Sequence, residues 1–198
     1  MKFLGRGWQY SAYDLGNGRV LKRQNSKLEA YRRMFLDCFP YTKLRISKFS
    51  DYYKWGKEEA IGSLQKILNS NLDQSIFGNP KVLDNGIDYE QDKVKPIHDY
   101  FTEASLEESK IVVDKFIELN KILVKNKLID KSFSIAKNFG LNEKGEIVLS
   151  DIGEIWSKSE NIEKQIRNKA WMRPYVLKPI PKGELREYFI KRMNESFT

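Results

Sequence analysis

The sequence has one cysteine, one histidine and no long run of apolar residues. The single cysteine, Cys38, cannot form a disulfide within the chain and excludes a zinc site built on cysteines, so we expect a reducing compartment. We expect Cys38 to be buried and inert on an apolar helix face. The only histidine, His98, excludes a histidine-rich metal cluster and is expected to be a structural residue on a strand. No stretch approaches the roughly 18 apolar residues that a membrane span needs.

The first residues and the net charge indicate the compartment and the kind of partner to expect. Residues 1–8 reach glycine and arginine too early for a signal peptide, so we expect a cytoplasmic protein, with a secreted effector as the alternative. The 198 residues are enough for one domain or two small lobes. A net charge of +8 favours anionic partners such as nucleotides, nucleic acid or an acidic protein surface. The basic residues are spread along the chain, so an ordinary solvated surface is the simpler explanation.

The first part of the sequence predicts antiparallel strands followed by two helices. The predicted strands are 2–5, 10–15 and 19–23. The glycine-rich segment 16–18 is a turn between the last two of them. Apolar residues then recur at three- and four-residue steps, which predicts one helix from Ser26 to just before Pro40 and another over 51–69. The expected buried stripe of the second helix is Ile61, Leu64, Ile67 and Leu68.

The rest of the sequence mixes strands and helices. Further strands are predicted at 82–89, 94–101, 139–142 and 146–149. Within the first of these, 84–86 is either a hairpin turn or a bulge. Ser105 and Glu108 form a capping-box pattern, which begins a helix that ends near Asn126. Its expected apolar face is Ile111, Val112, Phe116, Leu119, Ile122 and Leu123. The tail is helical but poorly patterned, and we expect Trp171 to pack its core.

Three features of the sequence indicate a binding or catalytic site, and each is weak evidence when taken alone. Gly5 and Gly7 lie between two strands, where a backbone without Cβ atoms can approach phosphate oxygens. Lys22 follows on the next strand, from which its ammonium group can reach under the glycine turn. Asn138 and Asp151, brought together by a short hairpin, offer the oxygen ligands that suit Mg²⁺ on a nucleotide. Together and in this order, these features predict a nucleotide site.

With these features, residues 3–156 resemble the protein-kinase-like superfamily. The segments that carry the resemblance are the glycine-rich loop (4–12), the strand of the phosphate-binding lysine (20–22), the regulatory helix (57–64), the hinge with the helix after it (97–108) and the catalytic loop with the Asp-x-Gly segment (138–153). In the loop, Tyr10 stands where a third glycine is usual. The ending Ile152-Gly153-Glu154 and the short chain are similar to a bacterial family of kinase-like proteins linked to the PhoP regulatory network (YrbL-like).

The resemblance implies that ATP and Mg²⁺ are the cofactors. It implies that Lys22 binds the α- and β-phosphates and pairs with a glutamate. That glutamate is Glu59, with Glu58 and Glu29 as alternatives. The implied nucleotide-binding residues are Gly5, Gly7, Ala12, Lys22, Glu59, Asp99, Tyr100 and Phe101, of which the last three border the adenine. The implied metal ligands are Asn138 and Asp151.

The catalytic loop departs from the family pattern. The family's catalytic aspartate lies five residues before the asparagine, where this sequence has Phe133. Asp130 lies three residues earlier, and a longer loop would let its carboxylate serve as the base; the alternative is an ordinary turn aspartate. Phosphoryl transfer depends mainly on positioning and charge neutralisation. A missing base therefore slows such an enzyme, typically by about 10²–10⁴-fold, without necessarily abolishing activity.

The sequence therefore predicts an α+β, two-lobed protein-kinase-like fold with a reduced C-lobe, the N-lobe at 1–101 and the C-lobe at 102–198. The predicted function is an ATP-dependent phosphotransferase that acts on a protein or another hydroxyl acceptor, with Lys22, Asp130 and Asp151 as catalytic residues. The first alternative is a pseudokinase that serves as a regulatory binding module. The last is a basic nucleic-acid-binding protein, for which no recognised motif is present.

Overall fold

The computed structural model describes residues 1–38 and 48–197, which form an antiparallel sheet followed by a mostly helical part. The strands are β1 (Lys2–Arg6), β2 (Tyr10–Asp14), β3 (Arg19–Gln24), β4 (Lys81–Val82), β5 (Tyr89–Asp92), β6 (Lys95–Pro96), β7 (Ile129–Asp130), β8 (Phe139–Leu141), β9 (Ile147–Leu149) and β10 (Ile155–Trp156). The helices are α1 (Lys27–Cys38), α2 (Phe49–Leu68), α3 (Ile97–Glu103), α4 (Leu106–Lys125), α5 (Ile135–Asn138), α6 (Ser159–Arg167), α7 (Pro174–Leu177) and α8 (Glu184–Phe197), with 3₁₀ turns at Gln74–Phe77 and Ala170–Met172. The predicted helix end at Phe39 and Pro40, and the side chain of Cys38, lie outside what is described.

The main sheet has five strands in the order β1-β2-β3-β5-β4, and each pair of neighbours is antiparallel. Its first three strands agree with the prediction. Gly16 and Gly18, in the turn between β2 and β3, have φ angles of +80° and +76°, which glycine adopts without steric cost. The segment 84–86 lies in the turn between β4 and β5, so the hairpin alternative is confirmed and the bulge is wrong.

The strand predicted at 94–101 is wrong beyond its first residues. Only Lys95–Pro96 forms a strand, β6, and it pairs with β8 rather than with the main sheet. Ile97 begins helix α3 instead, because Ile97 and Phe101 are four residues apart and both are buried on one helix face. His98 therefore lies exposed on a helix, with its Nδ1 3.4 Å from a backbone oxygen of the helical tail.

Helix α4 begins and ends where the sequence predicts. The Ser105 hydroxyl accepts a hydrogen bond from the backbone N–H of Glu108, whose carboxylate accepts one from the backbone N–H of Ser105. The predicted apolar face is only partly correct, since Ile111 and Ile122 are 56% and 46% exposed. The buried face includes Val113 and Ile117 instead, because the helix is covered on that side by α8 and β9.

Helix α2 buries a face that is rich in small residues. Its buried residues are Phe49, Gly56, Ala60, Ser63, Leu64 and Ile67. Leu68, which the sequence places in the buried stripe, is 42% exposed, and Ile61 is half-buried. Small side chains are needed where other segments approach the helix axis closely: a Cβ atom added to Gly56 would lie 2.3 Å from the ring of Trp8.

The helical part is held together by aromatic packing. Phe116 of α4 lies edge-on to Phe139 of β8, with ring centroids 4.8 Å apart. A second cluster joins Phe133, Trp171 and Phe197, with ring centroids 5.7 to 5.9 Å apart. Trp171 is fully buried, as expected for a packing residue. Within the described ranges, no helix has the length and apolar character that crossing a membrane requires.

We expect Gly56→Ala and Gly62→Ala, both inside α2, to change stability in opposite directions. An added Cβ at position 62 meets no atom within 4 Å, so removing this glycine stabilises the helix by up to about 1 kcal/mol. An added Cβ at position 56 collides with the Trp8 ring, and we expect a loss of about 1–3 kcal/mol. Urea unfolding followed by tryptophan fluorescence measures both changes. Equal effects would contradict the close packing of Trp8 against α2.

Candidate functional site

A cleft between the main sheet and the helical part contains two cavities. The first cavity, of about 370 Å³, is lined on the sheet side by residues that include Gly5, Ala12, Val20 and Lys22. The second cavity, of about 380 Å³, is lined by residues that include Trp8, Gln9, Ser132, Ser134, Asn138 and Tyr175. Lys137 and Asp151 line both cavities, so the two spaces meet at this pair of opposite charges.

Lys22 reaches the first cavity from the middle of the main sheet. It lies on β3, opposite Ala12 on β2. Directly opposed residues in an antiparallel pair point to the same face, which places both side chains on the cavity side. Within residues 1–38 and 48–197, Lys22 forms no ion pair, so the pairs implied with Glu59 and Glu58 are not formed in this structure. Glu59 lies on α2 and its charge contributes to the rise in the pKa of Glu154, for which burial is the main cause.

Glu29, the third glutamate that the sequence offered to Lys22, has other partners. Its carboxylate pairs with Arg6 of the glycine-rich loop at 2.6 Å. It also accepts hydrogen bonds from the backbone N–H and the hydroxyl of Ser26, which hold the pKa of Glu29 below its usual value. In this structure Glu29 is therefore paired with Arg6 rather than with Lys22. The residue instead caps the start of α1 and ties it to β1.

The loop between β1 and β2 is held by a buried asparagine that no sequence pattern singled out. The Asn25 side-chain amide donates hydrogen bonds to the backbone oxygens of Gly7 and Trp8 at 2.9 and 3.0 Å. The hydroxyl of Ser11 donates to the Asn25 amide oxygen at 2.6 Å. Gly7 lies exposed on this loop and does not line the first cavity, whereas Gly5 does. An Asn directly after a strand is a common turn residue, so its type and position carried no signal of this role.

Trp8 and Gln9 bring the same loop into contact with α2 and the Asp-x-Gly segment. The Gln9 amide donates hydrogen bonds to the backbone oxygens of Gly56 and Gly153, at 3.0 and 3.4 Å. A Cβ atom at Gly153 would lie 2.0 Å from the side-chain oxygen of Gln9, so a larger residue there would displace the Gln9 amide. From α2, the Ser63 hydroxyl also donates to the backbone oxygen of Gly153, at 3.3 Å. The Asp-x-Gly segment is thus fixed from two sides.

Asn138 and Asp151 lie together at the base of the β8–β9 hairpin. The backbone oxygen of Asn138 accepts hydrogen bonds from the N–H groups of Ser150 and Asp151, at 2.8 and 3.0 Å. The Asp151 side chain is exposed and lines both cavities, while Asn138 lines the second. The negative charge of Asp151 also contributes to raising the pKa of Tyr89, whose burial is the main cause of that rise.

The carboxylate of Asp130 is buried beneath the second cavity and is 1% exposed as a residue. It accepts hydrogen bonds from the Asn138 side-chain amide at 2.7 Å, from the Ser132 hydroxyl at 3.0 Å and from the backbone N–H of Ser134 at 3.0 Å. Burial raises the pKa of Asp130 to about 6, against the effect of these donors. Asp130 is thus neither a solvated turn residue nor part of the cavity lining.

Phe133 occupies the position where the resemblance leads one to expect a catalytic aspartate. It has a φ angle of +53°, which is uncommon for a non-glycine residue, and its ring is fully buried. The ring packs against Trp171 and Phe197. The turn from 130 to 134 therefore points its polar groups toward Asp130 and its aromatic ring into the core.

Two lysines beside the second cavity were not singled out from the sequence. Lys131 lies over the rings of Trp55 and Trp156, 4.7 and 5.6 Å from their centroids, and pairs with Glu154 at 3.4 Å. Lys137 lies 6.0 Å from the ring centroid of Tyr175. Its position directly before Asn138 is the one feature of the sequence that indicates a place at the site.

The residues expected to border the adenine are only partly at the first cavity. Asp99 lines it, whereas Tyr100 and Phe101 do not, and Phe101 is buried in the core. The chain passes from the main sheet to β6 at Lys93 and Val94, and both residues line the cavity. This connection lies several residues ahead of the predicted hinge. Pro96 was the available signal, since a proline ends a sheet strand and favours the start of a helix.

No protein-family model matches the chain. No curated protein matches it either. A co-crystal structure of WbdD with the kinase inhibitor LY294002 is similar, at 13% identity and a TM-score of 0.50, over all of this chain and 46% of that one. A complex of Rv3197 with erythromycin, from Mycobacterium tuberculosis, has 13% identity and a TM-score of 0.46 over 86% of this chain and 50% of that one. The chain therefore spans about half the length of these structures, and the likeness to WbdD shows a kinase-like α+β fold.

We expect the carboxyl group of Asp130 to make stability depend on pH. Its pKa is about 6 in the folded chain, whereas an unfolded aspartate has a pKa of about 4. Between these two pH values, the carboxyl group is protonated in the folded chain and ionised in the unfolded chain. The contribution of Asp130 to the free energy of unfolding is therefore highest below about pH 4 and falls, by roughly 3 kcal/mol in all, as the pH rises through about 6.

Urea unfolding at several pH values measures this effect when Asp130→Asn is compared with the parent chain. The asparagine does not titrate, so the difference in unfolding free energy between the two proteins should change between about pH 4 and 7 and be constant above that range. Ser132→Ala keeps the titrating group but removes a hydrogen bond that lowers its pKa, so the pH range of the change should move upward in this variant. A pH-independent difference for Asp130→Asn would contradict the assignment.

Proposed function

We propose that the chain is an ATP-dependent phosphotransferase with two lobes, the main sheet in the N-lobe and the helical part as a reduced C-lobe. The observation that carries the proposal is that Lys22, from the sheet, and Asp151, from the helical part, line one cavity of about 370 Å³. Cavities of this size are typical of small-molecule sites. A lysine and a carboxylate across one cleft suit phosphoryl transfer, in which catalysis is mainly positioning and charge neutralisation. The fold shared with WbdD, which binds a kinase inhibitor, supports this function.

Nucleotide binding is assigned to the first cavity. Gly5, Ala12 and Lys22 would hold the phosphates, and Gly5 leaves open space, since an added Cβ there meets no atom within 4 Å. The connection formed by Lys93 and Val94, together with Asp99, would border the base. Backbone N–H and C=O groups are among the polar groups that fix the orientation of a ligand in such sites.

Mg²⁺ fits the residues at the junction of the two cavities. Asp151 supplies an exposed carboxylate and Asn138 a side-chain amide oxygen, the hard ligands that this ion prefers. In the parts of the chain that the structure describes, no group of three or more acidic, histidine or cysteine side chains could enclose a metal. One or two protein ligands completed by phosphates and waters are usual for Mg²⁺. When bound, the ion would neutralise phosphate charge.

Asp130 is assigned a positioning role rather than that of a base in contact with substrate. Its carboxylate fixes the Asn138 side-chain amide through the 2.7 Å hydrogen bond. It also fixes the turn that carries Ser132 and Ser134. Because Asn138 and Asp151 share backbone hydrogen bonds, the order at Asp130 extends to both implied metal ligands.

The alternative function is a pseudokinase that binds nucleotide and acts as a regulatory module. It is favoured by the ring of Phe133, which lies in the core where a catalytic carboxylate is expected. The unformed pair between Lys22 and Glu59 also favours it. Transfer of labelled phosphate from ATP to any acceptor, or to the protein itself, would exclude this alternative.

We expect ATP with Mg²⁺ to raise the melting temperature, because the nucleotide binds only the folded cleft. At a hundredfold excess over the dissociation constant, the stabilisation should be about 2.7 kcal/mol. Lys22→Ala should abolish the shift, since it removes the charge that faces the phosphates. Asp151→Asn should remove only the magnesium-dependent part. Thermal shift titrations with and without Mg²⁺ measure both variants.

Lys121→Ala is the matched control for Lys22→Ala. Lys121 lies on the exposed side of α4, where it pairs with Glu118 away from the cleft. This variant should keep the full shift. Absence of any shift in the parent chain at millimolar nucleotide would remove the nucleotide-binding proposal, and unfolding of Lys22→Ala in the absence of nucleotide would make Lys22 a structural residue.

We expect Lys137→Ala to weaken ATP binding more than ADP binding. Lys137 lines both cavities opposite Asp151, where the terminal phosphate would pass from one to the other. A hydrogen bond to a charged group contributes about 1.5–3 kcal/mol, so loss of this contact should cost ATP about tenfold or more in affinity. Isothermal titration with ADP and with a non-hydrolysable ATP analogue measures the ratio. An equal loss for the two nucleotides would place Lys137 away from the terminal phosphate.

A further inference from the structure

The second cavity meets the cavity proposed for the nucleotide at Lys137 and Asp151. This inference rests on the proposed function, which places the terminal phosphate at that junction. Donor and acceptor oxygens lie roughly in line on opposite sides of a phosphoryl group in transfer. The second cavity, of about 380 Å³, is therefore on the acceptor side.

The walls of the second cavity limit what can enter it. Trp8 forms one wall and is fixed, because its ring packs against Gly56 and lies 6.1 Å from the ring of Trp55. Tyr175 forms another, and its hydroxyl accepts a hydrogen bond from Arg173 at 3.1 Å. A volume of this size is at the lower end of small-molecule sites. It suits a small compound that the cavity can enclose completely better than a protein side chain, which stays attached to its peptide.

The floor of the cavity offers hydrogen bonds to hydroxyl groups. Ser132, Ser134 and Asn138 line it, and the buried carboxylate of Asp130 fixes their arrangement. The hydroxyl oxygen of Ser134 is buried, and within the described chain it has no hydrogen-bond partner. A buried hydroxyl without a partner costs about 1–3 kcal/mol. Ser134 lines the cavity, so rotation of its side chain about χ1 would carry this oxygen to the cavity surface, where a hydroxyl group of a ligand would supply the missing bond.

The charges around the cavity favour an uncharged ligand. Lys131 and Glu154 pair with each other, which balances their charges. The aromatic ring of Tyr175 is already approached by the ammonium of Lys137. A cationic ligand would have to share that ring with a like charge, since cations bind aromatic faces through the same attraction.

We infer that the second cavity binds a small, neutral polyhydroxy compound as the phosphoryl acceptor, in place of a protein side chain. In the transfer, an acceptor hydroxyl oxygen forms a bond to the γ-phosphorus of ATP. The bond from that phosphorus to the bridging oxygen breaks, and its electron pair leaves with ADP. The hydroxyl proton is released to solvent, so the products are ADP, a phosphomonoester and one proton.

The test offers ATP and Mg²⁺ together with acceptors of three kinds: neutral polyols (glycerol, glucose and myo-inositol), the cation choline, and casein. Mass spectrometry of the products should show phosphorylation of at least one polyol and none of choline or casein. Ser134→Ala should raise the KM for that polyol about tenfold and leave the ATP-induced thermal shift unchanged. Ser50→Ala, on the exposed side of α2, is the matched control and should change neither value.

Phosphorylation of casein but of no polyol would overturn the inference, and so would phosphorylation of choline at a rate equal to that of the polyols. If ATP raises the melting temperature and no compound is phosphorylated, the inference is wrong while the nucleotide site stands. If ATP gives no thermal shift, the proposed function fails and the inference fails with it. An unchanged KM in Ser134→Ala would remove Ser134 from the acceptor site.

Discussion

The carboxylate of Asp130 is enclosed in the protein, and the segment that carries Asn138 is built around it. A buried carboxylate is costly unless donors surround it, and here a backbone N–H, a hydroxyl and an amide do so. These three bonds fix the turn before α5. The backbone of Asn138 then fixes Asp151 through the hydrogen bonds across the hairpin. Both implied metal ligands are therefore tied to one buried carboxyl group, whose pKa burial raises to about 6 against the effect of its donors.

A second constraint is the contact between the glycine-rich loop and the helical part. Gln9 donates to the backbone of Gly153, and Trp8 packs on Gly56. At both contacts a Cβ atom would displace the side chain that approaches the glycine, so these glycines act by allowing close approach rather than by their flexibility. The loop consequently forms a wall of the second cavity as well as the roof of the first. Trp8 and Gln9 thus both line the space that we propose for the acceptor.

Local patterns were sufficient for most of the secondary structure. The turn at 16–18 and the capping box at Ser105 identify the second β-hairpin of the main sheet and helix α4, because each satisfies backbone groups within a few residues. The strand predicted over 94–101 was wrong, since a short apolar run fits a strand or a helix equally well. The exposure of Ile111 and Ile122 was not predictable either, because it depends on which neighbours cover α4.

At the candidate site, the sequence by itself determined which chemical groups are available. The order of Gly5, Lys22, Asn138 and Asp151 is enough to predict a nucleotide site, because each residue type has its own chemistry. Only the tertiary structure decided how the groups are used. In the folded chain Asp130 is buried and Phe133 lies in the core. Glu29 pairs with Arg6, and Lys137 lines both cavities. Burial and pairing depend on contacts between residues far apart in the chain, and no local pattern records those contacts.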